Sequence, residues 1–286
     1  SAAASARLEN PGIMLLLTQS RPLDADAVCR ALAAIEPLKI APRFTSQLAD
    51  DGKPAPAGAE NIFYGRFEFD SHVIAVIGLD APVPKTVLDR TVEASAWTGQ
   101  GRESMLAHKA HVVLLHQGGG ASALEKHLAL FKLAAVLGGD HCAGVLNEPA
   151  WTCAPAQVVR EFAKTEMLNA CRDQIPPIVF TGFVKFMDED GVWFATKGHH
   201  LFGAPDFVMH GGQGDKPSDL LDLFMNIFLY VMGSDRELQA GHTMQIADEI
   251  YLKFSELPQG HNPTLAGTGK TLLLKRIGKD EINRQA

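Results

Sequence analysis

The sequence predicts an α/β (α+β) fold in which helices flank a mixed β-sheet. Three observations lead to this fold class. Short apolar runs typical of strands alternate along the chain with longer stretches typical of helices. Two pairs of strand patterns meet at short polar turns, which indicates hairpins and argues against a purely parallel sheet. The 286 residues are 46% hydrophobic and 21% charged, a composition typical of folded globular chains.

In the first part of the chain, the patterns predict a strand, a helix, a hairpin and a second helix. Asp24 stands directly before the first helical pattern, where its carboxylate can accept a hydrogen bond from a free amide of the first turn. The two hairpin arms are separated by only three polar residues. The predicted elements are strands at 13–17, 62–69 and 73–79, helices at 25–35 and 86–96, and a polar loop at 49–60.

The rest of the chain continues the alternation, with one helix that stands out. Residues 220–232 are nearly all apolar, so we expect this helix to be buried on every side. An acidic Gly-ending turn at 188–191 joins two strand patterns and predicts a second hairpin. The predicted strands are 112–115, 143–146, 178–187, 192–196, 207–210, 249–254 and 271–276, and the predicted helices are 122–137, 156–171 and 220–232.

Weak internal similarity predicts two related halves. The matches keep their order along the chain, which favours duplication with insertions in the second copy. We therefore predict a first α/β half at residues 1–100 and a second, larger α/β half at 101–286, packed as one globular unit. The alternative is that apolar strands and helices align with any segment of the same pattern. The aligned positions are Leu16 with Leu114, Phe63 with Phe180, and Pro84 with Pro217.

Charge and cysteine content exclude several classes of protein. The net charge is −7 and no dense cluster of Lys and Arg is present, so we predict no nucleic-acid partner. No apolar run approaches the roughly 20 residues needed to cross a bilayer, so we predict no membrane partner. The four cysteines form no C-x-x-C pair, which favours free thiols in a reducing cytoplasm.

Two Gly-rich loops are the candidate ligand-binding segments. Each follows a strand pattern and leads to a helix pattern, so its backbone amides can face an anion. If the two parent strands are neighbours in one sheet, both loops meet at one edge and suit a carboxylate or phosphate. The alternative is that the glycines only form strand-to-helix turns. The candidate residues are His116, Gly118, Gly119, Gly120, His210, Gly211, Gly212 and Gly214.

Other motifs do not define a site. The segment 267–271 ends like a phosphate-binding loop, but Thr264 stands where that motif needs its first Gly, and a strand pattern follows. His199 and His200 are adjacent, so they would point to opposite faces of a strand and chelate a metal poorly. We therefore assign no catalytic residue, metal or cofactor.

Most of the chain, from about residue 73 onward, resembles a known family. His108-Lys109-Ala110-His111 precedes a strand, and 193–198 with 201–203 supply further matching motifs. These segments are similar to the bacterial family called domain of unknown function 4261, most clearly over residues 177–276. The resemblance implies a soluble bacterial protein, linked in some members to toxin–immunity or secretion loci, and it transfers no site residue.

Two functions follow as expectations. The first is a non-enzymatic bacterial binding protein, such as an immunity or accessory factor that binds a protein partner. It is favoured by the absence of a complete catalytic set in the sequence and by the family resemblance. The alternative is an enzyme or sensor of a small anionic ligand bound by the two His–Gly loops.

Overall fold

The structure, a computed structural model, describes residues 10–46, 62–119, 121–212, 214–234 and 237–283. The predicted loop at 49–60 and Gly120 lie outside the described residues. The chain divides into two compact units, Ser1–Phe180 and Thr181–Ala286, named unit 1 and unit 2. Each unit packs helices on its own sheet, which confirms the predicted α+β fold class. No described helix is long and apolar enough to cross a membrane.

Unit 1 is built on one antiparallel sheet. Its strands are β1 (Gly12–Leu17), β2 (Arg43–Ser46), β3 (Phe63–Phe69), β4 (His72–Leu79), β5 (Ala110–His116), β6 (Cys142–Asn147) and β7 (Thr152–Pro155). Its helices are α1 (Ala25–Ile35), α2 (Lys85–Leu88), α3 (Gly99–Leu106), α4 (Ala123–Gly138), α5 (Ala156–Glu161), α6 (Thr165–Asp173) and α7 (Pro177–Phe180). A π-helical turn, Asp89–Glu93, follows α2, and a 3₁₀ turn, Gly139–His141, follows α4.

The seven described strands of unit 1 lie in the order β2-β3-β4-β5-β1-β6-β7, and every neighbouring pair is antiparallel. The boundary predicted at residues 100/101 falls inside this sheet. β5 follows that boundary in sequence, but it pairs with β1 and β4, which precede it. Leu16 and Leu114, assigned above to different halves, therefore lie in adjacent strands of unit 1.

Helices cover both faces of this sheet. Leu15 reaches Gly138 of α4, whereas Leu16, the next residue, packs with Val92 and Met105 of the π-helical turn and α3. Consecutive strand residues point to opposite faces, so α4 covers one face and α3 with the π-helical turn covers part of the other. The long α4 is buried along most of its length because helix α1 packs on its outer side.

Local predictions in unit 1 are confirmed at α1 and corrected at two helices. Asp24 accepts a hydrogen bond from the Ala27 amide at 2.9 Å, as expected for an N-cap. The helix predicted at 86–96 is confirmed over most of its length, because α2 continues directly as the π-helical turn, but the helical backbone ends at Glu93. The helix predicted at 156–171 is broken between α5 and α6. At the break the chain turns through i−3 hydrogen bonds, and Phe162 packs on Phe131 and Phe180.

Unit 2 contains a mixed sheet and one long helix. Its strands are β8 (Gly182–Asp188), β9 (Gly191–Lys197), β10 (Asp206–His210), β11 (Thr243–Ala247), β12 (Ile250–Ser255) and β13 (Thr271–Gly278). Its helices are α8 (Pro217–Met232) and α9 (Lys279–Asn283), with a 3₁₀ turn at His199–Phe202. The sheet order is β11-β12-β13-β10-β9-β8, and among these described strands only β10 and β13 pair in parallel.

The core of unit 2 lies between this sheet and α8. Phe207 of β10 packs on Phe224 of α8 and on Phe254 of β12. The prediction that α8 is buried on every side is wrong. Asp222, Asn226 and Tyr230 lie one turn apart and are exposed, so the helix has one buried face and one outer face.

Candidate functional site

Unit 2 contains a groove where β10 and β13 separate. The two strands pair only from Asp206 with Thr271 to Val208 with Leu273. Beyond that point, β10 continues along β9, whereas β13 continues along β12 to Gly278. This divergence leaves a groove of about 430 Å³. We call it the β10–β13 groove.

The walls of the β10–β13 groove come from both faces of the sheet. Leu273 and Leu274 both line it, although neighbouring strand residues point to opposite faces. The groove therefore passes through the plane of the sheet, between the two strand edges. The lining residues are Trp193, Met209, His210, Gly212, Asp215, Leu273, Leu274, Lys275 and Arg276.

His210, one of the predicted site residues, ends β10 and is exposed at this groove. Its Nε2 donates a hydrogen bond to the carbonyl oxygen of Asp190 at 2.8 Å, and its ring lies edge-on to Trp193. The indole N–H of Trp193 donates to the Asp190 carboxylate at 2.7 Å. The hairpin turn between β8 and β9 thus fixes both rings.

The Gly-rich loop after β10 carries its own carboxylate. The amide of Gly212 donates to Asp215 Oδ2 at 2.8 Å, and Arg276 donates to Asp215 Oδ1 at 2.6 Å. These contacts hold the pKa of Asp215 below its usual value, against the effect of partial burial. Gly211 donates to the Val192 carbonyl and extends the β9 pairing, and Gly214 has φ +90°. The loop amide predicted to face an exogenous anion therefore has an internal anionic partner.

The first Gly-rich loop points its histidine inward. His116 ends β5, is 2% exposed, and contacts His72 of β4 with 3.0 Å between His116 Nε2 and His72 Nδ1. The amide of Gly118 donates to His116 Nδ1 at 3.2 Å. Burial, with a smaller effect of His72, lowers the pKa of His116 to about 4. This imidazole is therefore neutral at neutral pH.

The two loops do not share a sheet edge. β5 belongs to the seven-stranded sheet of unit 1, whereas β10 belongs to the sheet of unit 2. The condition for a joint anion site, that the parent strands be neighbours in one sheet, is not met. Of the predicted residues of the second loop, His210 and Gly212 line the β10–β13 groove, whereas Gly211 and Gly214 are not part of its lining.

A second polar cluster lies next to β10, inside the motif that carries the family resemblance. Lys197 is 1% exposed and its ammonium donates to the carbonyl oxygens of residues 264, 265 and 266 at 2.7–3.0 Å. Burial lowers the pKa of Lys197 to about 8, and Asp206 opposes that shift. Asp206 accepts from the His199 amide at 3.1 Å and from the Thr196 hydroxyl at 3.3 Å. These bonds anchor the 3₁₀ turn and the loop before β13.

The described residues do not bring together the side chains of a metal centre. No group of three or more His, Cys, Asp or Glu residues among them is placed to hold a metal ion. Burial raises the pKa of the Cys142, Cys153 and Cys171 thiols to about 11, so they are protonated and weakly nucleophilic. The segment 267–271 forms a turn into β13, as the sequence indicates.

Sequence reasoning missed several groove residues. Trp193 belongs to the motif at 193–198, from which no site residue was transferred, and Arg276 comes from a strand with no distinctive motif. Asp215 follows the Gly-rich loop as an ordinary polar residue. The groove exists because β10 and β13 pair over only a few residues. Pairing between strands that are distant in sequence leaves no local pattern, so the sequence could not indicate the groove. The Asp215–Arg276 ion pair spans 61 positions.

The fold and the groove define a two-unit α+β protein whose second unit carries an open, partly apolar cleft between two parallel strands. The family model described as Domain of unknown function (DUF4261) matches residues 195–273, which lie within unit 2 and run from β9 into β13. This match confirms the predicted resemblance for that segment. Comparisons with curated proteins and with solved structures gave no match.

Proposed function

We propose that this protein is a non-enzymatic binding protein whose β10–β13 groove holds an extended, acidic segment of a protein partner. The single observation that carries the proposal is the separation of the two parallel strands after Val208 and Leu273. An extended peptide can add to a free strand edge through main-chain hydrogen bonds, while pockets at the edge select its side chains.

The strand edges inside the groove are free within the described residues. Met209 and His210 pair with β9 on one side only, and residues 274–276 of β13 pair with β12 on one side only. Strand main chain needs partners on both sides unless water or a ligand supplies them. A guest strand supplies those partners at this position.

The rim of the groove is basic. Lys275 has a 69% exposed side chain and lines the groove beside Arg276. Glu281 is 3.9 Å from Lys275, and Asp215 is already held by Arg276. Acidic side chains on a guest strand would complement this rim.

Leu274 and Met209 give the groove an apolar wall on the face of the sheet opposite to Lys275. A guest strand that alternates apolar and acidic residues would place its apolar side chains on this wall and its acidic side chains toward the rim. Arg, Trp and Met are residue types enriched at protein interfaces. Trp193, Met209 and Arg276 all line the groove.

The anionic-ligand alternative has no comparable support. The Gly212 amide binds Asp215, and the His116 ring is buried against His72. An immunity or accessory factor in the cytoplasm is the biological setting that we propose. It agrees with four free cysteines in the structure, since a reducing compartment keeps thiols free.

A peptide-display selection tests the proposal. The purified protein is used to select from a random peptide library, and enriched peptides are titrated while amide NMR signals of unit 2 are followed. We expect enriched peptides to alternate apolar and acidic residues and to perturb residues 209–212 and 273–276. The Lys275→Glu variant should bind these peptides with about tenfold lower affinity, because the substitution reverses a charge on the rim of the groove.

Lys185→Glu is the matched control, since Lys185 is an exposed lysine of β8, in the same sheet but outside the groove lining. The Lys185→Glu variant should bind the enriched peptides with the same affinity as the unmodified protein. Selection without enrichment, perturbations elsewhere in the chain, or equal weakening by both variants would each overturn the proposal.

A further inference from the structure

Unit 1 contains a polar cavity that none of the sequence motifs predicts. It encloses about 170 Å³ where the end of α1, the β3–β4 turn, α4 and α6 meet. At about 30 Å³ per water molecule, this volume holds roughly five waters or a ligand of a few heavy atoms. Its polar lining consists of Glu36, Asp70, His72, Glu125, Lys132 and Arg172.

Ion pairs fix the charged wall of this cavity. Glu36 accepts from Lys132 at 2.7 Å and from Arg172 at 3.1 Å, and Arg172 also donates to both carboxylate oxygens of Glu125 at 2.8 and 3.0 Å. Lys132 is further held over the ring of Phe69, 5.0 Å from its centroid. Because these side chains come from α1, α4 and α6, the wall is rigid before any ligand arrives.

The two buried histidines have their tautomers fixed by one backbone amide. Gly118 donates to His116 Nδ1, so the proton of the neutral His116 ring is on Nε2. His116 Nε2 must then donate to His72 Nδ1, which lies 3.0 Å away. The proton of the neutral His72 ring is consequently on its own Nε2. Burial lowers the pKa of His72 as well, which keeps this ring neutral.

His72 therefore presents one N–H donor to the cavity. The residue is 8% exposed and lines the cavity, and its Nε2 has no acceptor among the described residues. An oxygen atom of a molecule in the cavity can accept a hydrogen bond from this N–H group.

Asp70 presents an acceptor to the same cavity. Its Oδ1 accepts the amides of Lys39 and Ile40 at 2.6 and 3.0 Å, which fixes the carboxylate at the β3–β4 turn. Its Oδ2 has no hydrogen-bond partner in the described part of the chain. The cavity thus combines a neutral donor with a fixed carboxylate acceptor, in a wall that carries three carboxylates and two cations.

We propose that this cavity binds a small molecule with a primary carboxamide group, its carbonyl oxygen on His72 Nε2–H and its NH₂ group on Asp70. A carboxamide has one acceptor and two donors on adjacent atoms, which matches the two groups the cavity offers. A carboxylate of the same shape has no donor for Asp70 and adds a fourth negative charge to the wall. The cavity should therefore discriminate between these isosteric groups.

Acetamide and acetate provide the isosteric pair for the test. The imidazole nitrogens of the ¹⁵N-labelled, full-length protein are observed by NMR, and each compound is titrated at neutral pH. We expect protons on Nε2 of both His72 and His116. Acetamide should shift His72 Nε2 and the amides of Leu128 and Ala129, with an affinity about tenfold or more above that of acetate.

The variants test the location of the site. His72→Phe removes the donor and should abolish the acetamide shifts at Leu128 and Ala129. His242→Phe, at an exposed histidine of unit 2 outside the β10–β13 groove, should leave these shifts unchanged. If the His72→Phe variant does not fold, the acetamide and acetate titrations of the wild-type protein test the proposal. A proton on His72 Nδ1, equal binding of acetate, or no acetamide shift in the wild-type protein would overturn the proposal.

Discussion

Gly119 shows how one residue can serve packing where its sequence context indicates a ligand. Its φ is +113°, and a Cβ atom there would lie 2.2 Å from the carbonyl oxygen of Ser71. This oxygen belongs to the main chain of the β3–β4 turn and cannot rotate away. The glycine is therefore required for the loop to lie against the hairpin. Gly118 has φ +104°, and a Cβ atom on this residue would have no atom within 4 Å outside its own residue and the two neighbouring residues.

Alanine substitutions at these two glycines separate steric contact from backbone strain. Gly118→Ala introduces strain alone and should lower the free energy of unfolding by about 1 kcal/mol. Gly119→Ala adds the main-chain clash and should cost about 2 kcal/mol more. Urea unfolding followed by circular dichroism measures both. Equal losses at the two positions would show that the Ser71 contact is not a constraint.

At the residue scale, the sequence predicted local chemistry well and long-range partners poorly. The Asp24 cap was predictable because donor and acceptor are three positions apart. The inward turn of His116 was not, because its partner His72 is 44 positions away on another strand. A histidine followed by a Gly-rich loop gives the same sequence pattern whether the imidazole faces solvent or the core.

Among the secondary-structure elements, α8 illustrates a limit of hydrophobicity patterns. Its apolar residues extend around most of the helix, yet Tyr230 is 48% exposed and Phe228 is fully buried. Phe228 packs on His199 and Phe202, so the aromatic cluster rather than overall hydropathy decides which face is inside. The two predicted hairpins are confirmed at β3–β4 and β8–β9, but the strand predicted from residue 178 begins only at Gly182, because Pro177–Phe180 form α7.

A pair of aromatic truncations tests the one-sided burial of α8. Phe228→Ala should destabilise unit 2 by about 3–5 kcal/mol, because it removes a ring from a packed core. Tyr230→Ala should change stability by less than about 0.5 kcal/mol, because the ring is half exposed. Thermal unfolding of both variants provides the comparison. A large loss for Tyr230→Ala would indicate that the outer face of α8 is covered in solution.

For the whole molecule, buried histidines concentrate in unit 1. Burial lowers the pKa of His72, His108, His116 and His127, and it brings the values for His116 and His127 to about 4. Among the described residues of unit 2, a lowered histidine pKa occurs at His199. A folded-state pKa below the unfolded value of about 6.5 means that the unfolded chain binds more protons at intermediate pH.

Unit 1 should therefore lose stability before unit 2 as the pH falls from about 6.5 to about 4. The histidine contribution is fully present above pH 6.5, and His116 and His127 each account for a loss on the order of 2 kcal/mol near pH 4. Urea unfolding monitored by NMR signals of each unit measures the effect. His116→Gln should flatten the pH dependence of unit 1, whereas His242→Gln, at an exposed position of unit 2, should leave it unchanged.

At the scale of the whole molecule, the sequence did not predict which strands belong to which unit. The fold class followed from the alternation of strands and helices, and it is confirmed. The sheet to which each strand belongs depends on pairing between distant segments, such as β1 with β5 and β6. Similar local patterns at Leu16 and Leu114 therefore indicated separate halves, although both strands lie side by side.

The parallel pairing of β10 with β13 has a consequence for how unit 2 folds. Asp206 meets Thr271 only after α8, β11 and β12 have been placed between them. Closing so long a loop costs entropy that local hairpins such as β8–β9 and β11–β12 do not incur. These hairpins should form first, and the β10–β13 contact should close late, so the groove is completed in the last stage of folding. The segment that matches the family model, 195–273, contains both paired stretches, Asp206–Val208 and Thr271–Leu273.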